Sequence, residues 1–110
     1  MARRANDHVA MYTRWDTRET LVATDVATGT RVVDPDPHRV VIVFSTAASP
    51  VTLSTQPNGA LASGVFIPGA ANPVVFSHSE HGYLAQCAWH IAVAGPPGSL
   101  MTVLEVFLDP

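Results

Sequence analysis

The chain has 110 residues, enough for one domain with a single core and too few for two. Its formal net charge is -3 and only 14% of its residues are charged, so it lacks the cationic surface that gives a nucleic-acid binder its affinity. A single cysteine, Cys87, excludes an internal disulfide, and no run of apolar residues is long enough to form a membrane-spanning helix.

The first ten residues carry Arg3 and Arg4, followed by Asp7 and His8 rather than an apolar stretch, which is not the pattern of a signal peptide. Synthesis and retention in the cytoplasm are therefore expected. Asp7 to Arg14 admits a short helix with Asp7 as its N-cap. Residues 1–19 hold four of the six arginines and few anchors, chiefly Tyr12 and Trp15. Fixing about fifteen residues costs on the order of 15–30 kcal/mol, and burying Trp15 returns roughly 4–6 kcal/mol. Such a segment cannot order itself on its own contacts. It reads either as a frayed end or as an arm that docks on a neighbour through Tyr12, Arg14, Trp15 and Arg18. The aromatic pair favours an arm over 1–19, ahead of a β domain over 20–110.

From Thr20 onward, short β-branched runs alternate with turn residues. Thr20 to Thr24 and Thr30 to Val33 flank Asp25 to Gly29, which reads as a hairpin loop. Asp34-Pro35-Asp36-Pro37 stops any ladder, because proline lacks the N–H a partner strand needs. His38 to Ser45 alternates, with Val40, Ile42 and Phe44 on one face and Arg39, Val41 and Val43 on the other. Val51 to Thr55 is followed by the turn Gln56-Pro57-Asn58-Gly59. Gly64 to Ile67 and Pro73 to Ser77 are short strands. Tyr83 to Val93 alternates throughout, placing Tyr83, Ala85, Cys87, Trp89, Ile91 and Val93 on a buried face. Leu100 to Leu108 is apolar on both faces apart from Thr102 and Glu105, which requires a central position or cover from another subunit. The pattern predicts an all-β fold, an antiparallel β-sandwich or jelly roll of seven to eight strands with an extended N-terminal arm.

Lysine is absent, and all six positive charges are arginine. Lysine is depleted and arginine enriched in protein interfaces, although a genome rich in G and C produces the same bias. Together with the strand pattern, this composition leans toward an oligomer.

The densest titratable segment is Ser77-His78-Ser79-Glu80-His81, where His78, Glu80 and His81 are candidate metal ligands and His90 a further nitrogen. In an extended segment His78 and His81 point to opposite sides, so a polar loop is the plainer reading. Cys87, in line with Trp89 and Ile91, reads as a core residue that keeps its proton. His90 reads as a surface or interface group. No activating motif surrounds any serine, and Gly64 to Gly69 precedes no helix that would present N–H groups to a phosphate. Trp15, Trp89, Phe44, Phe66, Phe76 and Phe107 could stack on a sugar but mostly fall in strand runs and read as core. No catalytic residue and no cofactor are expected.

A resemblance adds to this reading. The run Arg39 to Phe44, the short strand Pro50 to Ser54, the segment Gly64 to Gly69, the tryptophan strand His81 to Trp89 and the last strand Thr102 to Phe107 follow one another in an order that resembles small bacteriophage structural proteins. The likeness spans Val32 to Leu108, and the arm departs from it. It implies a β-sandwich subunit of a phage particle, made in the host cytoplasm and ending in the virion. Its role would be head decoration or cement, binding a major capsid or other virion protein through its arm and apolar sheet surface, as a homo-oligomer and without nucleic acid or membrane. The alternatives are a tail or fibre module that binds a carbohydrate or receptor, and a small jelly-roll metal enzyme.

Overall fold

The β-branched runs become eight strands in the computed structural model, which describes residues 14–109. They are β1 (Arg14–Ala23), β2 (Arg31–Val33), β3 (Arg39–Thr46), β4 (Val51–Ser54), β5 (Gly64–Ile67), β6 (Val74–Ser77), β7 (Trp89–Val93) and β8 (Leu100–Asp109). Two four-stranded antiparallel sheets form, in the orders β1-β8-β3-β6 and β2-β7-β4-β5. The first strand pairs with the last, the second with the seventh, the third with the sixth and the fourth with the fifth. This nested winding is that of an eight-stranded jelly roll. One turn of helix, α1 (His78–His81), and 3-10 turns at Leu61–Ser63 and Gly82–Gln86 complete the described residues. No helix among them is long and apolar enough to cross a membrane.

The inner faces meet in a core of Val33, Ile42, Phe44, Val51, Leu53, Ile67, Phe76, Trp89, Ile91, Met101 and Val103. Trp89 stacks on Phe76 at 5.2 Å between centroids and meets Phe44 edge-on at 5.3 Å. These rings bridge the two sheets, which is where their large apolar area contributes most.

Several sequence expectations are corrected. Thr24 to Thr30 is a crossover between the sheets rather than a hairpin loop, because β1 pairs with β8 and β2 with β7. Alternation shows which face is buried and says nothing of the partner strand. Residues 14–19 were expected in the arm, yet they form the first part of β1 and pair in register with β8, from Arg14 opposite Asp109 to Glu19 opposite Leu104. Ladder hydrogen bonds supply the stabilisation that Trp15 alone could not. The rest of the expected arm, residues 1–13 with Tyr12 and most of the helix expected over Asp7 to Arg14, lies outside the described residues.

The eleven-residue strand expected from Tyr83 breaks in two. Gly82, at φ +62°, ends α1 and opens a 3-10 turn, and only Trp89–Val93 is strand. The carbonyls of Ala85 and Cys87, which a strand would give to a neighbour, accept instead from Arg39. Tertiary hydrogen bonds override the local alternation.

Candidate assembly interface

Arg39 reads from its spacing as an outward residue, opposite in phase to Ile42 and Phe44. A β-bulge between Arg39 and Val41 inserts one residue against β8 and resets the phase, turning Arg39 inward, where it is fully buried. Its guanidinium Nε donates to Ala85 O at 2.7 Å and Nη2 to Cys87 O at 2.6 Å. Nη1 donates to Asp34 O at 3.0 Å and to Glu105 Oε2 at 2.7 Å. A buried cation survives only when paired and hydrogen-bonded, and Arg39 is both. The group ties β3 to β8, to the loop after β2 and to the turn before β7.

Glu105 is the inward carboxylate of β8 and serves two arginines. Arg18, opposite it on β1, donates Nε to Oε1 at 3.0 Å and Nη2 to Oε2 at 3.1 Å. The Arg18 guanidinium also lies 5.0 Å from the Phe107 ring centroid. Hydrogen bonding to Glu105, then the charge of Glu105, holds Arg18 above its ordinary pKa. A groove of about 310 Å³ opens beside this pair, lined by Arg18, Thr20 and Val22 of β1, Val32 and Val33 of β2, and Val103 and Glu105 of β8.

With these charges turned inward, the outward side of the same sheet is aliphatic. Register places Thr17, Val106, Val41 and Ser77 in one row, and Glu19, Leu104, Val43 and Val75 in the next. Leu21, Thr102 and Ser45 form a third row. Leu108 lies beyond the first row, toward Arg14, and Leu100 beyond the third. Leu21 is 62% exposed and Val75 47%, while Val41, Val43, Leu104 and Val106 are half-buried by their neighbours alone. The two central strands are thus apolar on both faces, since their inward side also carries Ile42, Phe44, Met101 and Val103 of the core beside the Arg39–Glu105 pair. Comparison with known protein families, characterised proteins and solved structures gives no match to this chain.

The remaining expected site residues are dispersed. Arg14 and Trp15 lie on β1, opposite Asp109 and Leu108. His78, Glu80 and His81 lie on α1 rather than in an extended loop, and all three are exposed. His81 Nδ1 accepts from the Ser77 N–H at 3.1 Å, and its ring sits edge-on to Phe76. Among the described residues no three His, Cys, Asp or Glu side chains come together as a metal site. His90, expected as a surface or interface group, is buried, and its Nδ1 has no hydrogen-bond partner among the described residues. Phe66, expected in the core, is 60% exposed on edge strand β5. Cys87 is half-buried; burial pushes its thiol pKa up and the charge of Arg39 pulls it down by less.

Sequence reasoning missed Arg39 and Glu105 as partners. A signal was present: Arg39 stands alone ahead of the apolar run Val40 to Phe44, Glu105 is the one charge within Leu100 to Leu108, and the two charges are opposite. The bulge that brings them to one face left no mark of its own in the sequence.

Proposed function

We propose that this chain is a structural subunit of a bacteriophage particle, a head decoration or cement protein that binds the shell. The observation that carries the assembly role is the aliphatic outer face of the sheet β1-β8-β3-β6, on strands whose Arg39 and Glu105 point inward. A lone soluble domain gains nothing from outward aliphatic side chains there, whereas a face covered by another polypeptide gains the apolar burial. Jelly rolls recur in viral capsid and lectin domains, and the resemblance from Val32 to Leu108 supports the phage setting. Residues 1–13, with Arg3, Arg4 and Tyr12, would reach a coat subunit by strand addition or groove filling, and many copies on one shell would add avidity.

Mixing the full chain with shells assembled without it tests this reading. Co-sedimentation at a fixed ratio to the coat protein is expected, and free protein in the supernatant at every ratio overturns it. Deleting residues 1–13 leaves β1 intact and should weaken decoration. A second reading, a tail or fibre module for a glycan or receptor, is favoured by Tyr83, 70% exposed next to α1. Binding on a glycan array without affinity for shells would select it.

A further inference from the structure

We infer that the outer face of the sheet β1-β8-β3-β6 is filled by the same face of a second copy of this chain, packed sheet against sheet on a two-fold axis. The inference rests on the assembly reading only in assigning that face to a polypeptide. Shape is the first argument. Val41, Val43, Val75, Leu104 and Val106 stand on adjacent strands of one pleated surface, in two rows. Short aliphatic rows of this kind interdigitate with their own copy when sheets pack aligned, about 10 Å apart. An isologous contact needs no second surface of different shape.

Charge is the second argument. Among the described side chains Glu19, at the sheet's margin, is the one charge on this face. A different protein would need charged or hydrogen-bonding groups here to be told from others, and the face offers only Thr17, Ser45, Thr102 and Ser77 around its border. Homodimer interfaces are the apolar class.

Area is the third. Strands about 4.8 Å apart and rows about 6.8 Å along them give each outward residue about 33 Å², so the thirteen outward positions cover roughly 400–450 Å² per copy and a pair removes roughly 850 Å² from water, the size of a small, reversible contact that dilution can open. Edge-to-edge pairing is the competing arrangement, and the edges oppose it. Four of the ten residues of β1 are charged (Arg14, Asp16, Arg18, Glu19), and β6 is four residues long. Face-to-face contact uses up the aliphatic surface, so association closes at two copies instead of growing into a fibre.

Light scattering on the full chain should give the mass of a pair. Val43→Glu should halve that mass with the β-sheet circular dichroism unchanged. Val43→Thr and Leu104→Thr keep strand propensity and guard against misfolding; each should raise the concentration of half-dissociation roughly ten-fold. A wild-type monomer at every concentration overturns the inference, as does a pair that survives in folded Val43→Glu and in both threonine variants. A monomer that still coats shells overturns the pairing and leaves the assembly reading standing. A pair that ignores shells supports the pairing and removes the shell.

Discussion

On the sheet β2-β7-β4-β5 the outward side is closed by the chain itself. The Gln56–Ala60 turn folds back against β7, with Ser54 Oγ donating to Ala60 O, and Gly59 lies so close to Ile91 O that a Cβ would collide. The crossover after β1 adds Gly29 N–H to Ile91 O, and Ile91 N–H to Thr30 O. His90, on the same strand, is buried. What remains open is Phe66 and Val93 on the strands and Leu61 just ahead of β5. On the sheet β1-β8-β3-β6 no loop among the described residues plays that part, and the outward rows are longer and more aliphatic. One sheet is closed along part of its outer side by the chain's own turns, while the other keeps a continuous aliphatic surface across its two central strands.

The contrast can be broken at its inward side first. Arg39→Met removes the buried cation, leaves Glu105 to Arg18 alone and leaves three carbonyls without their donor, so a loss of about 3–5 kcal/mol is expected in urea unfolding. Replacing Glu105 by leucine in the same chain should recover only part of this, because the carbonyls of Asp34, Ala85 and Cys87 stay unpaired. Gly59→Ala strikes the self-made cover. Gly59 sits at φ +72° against Ile91 O, so a loss of about 2–4 kcal/mol is expected, with faster amide exchange in β7 and in the 56–60 turn. Arg18→Ala should cost only about 0.5–1 kcal/mol, since its side chain is 59% exposed and Arg39 still neutralises Glu105. Comparable losses at Arg18 and Arg39 would mean that the inward pair is not the anchor.

The smallest effect concerns Cys87. Its folded pKa is raised, so the protonated thiol favours the folded chain. That contribution is full below the ordinary cysteine range and is lost as pH rises through the raised value. Slow alkylation at neutral pH and a melting temperature that falls only on the alkaline side are expected. Fast alkylation at neutral pH would contradict the burial.

The strand runs Arg39–Thr46, Val51–Ser54, Gly64–Ile67, Val74–Ser77 and Leu100–Asp109 were legible within a residue or two, because each is rich in β-branched or apolar residues and is bounded by proline or glycine. The doubly apolar character of Leu100 to Leu108 called for a central position or cover from another subunit, and the strand lies between β1 and β3. What failed depended on distant groups. The start of the Tyr83 run alternates like a strand, yet Arg39, more than forty residues earlier, takes its carbonyls. Arg39 itself was assigned to the wrong face because a bulge shifts phase without changing composition. His90 was read as a surface or interface group because nothing in its own strand records that both faces of β7 are buried. The aliphatic outer face was half legible: the outward Leu104 and Val106 and the inward Glu105 stand in plain sequence, but deciding which side faced the core needed the second sheet.

Side-chain footprinting of the full chain at high and low concentration tests the contrast between the sheets most directly. Val43, Val75 and Leu104 should be protected when concentrated and become labelled on dilution, while Phe66 and Tyr83 label equally in both. Equal labelling of Val43, Val75 and Leu104 at both concentrations, without shells present, would contradict a face built to be covered by its own copy.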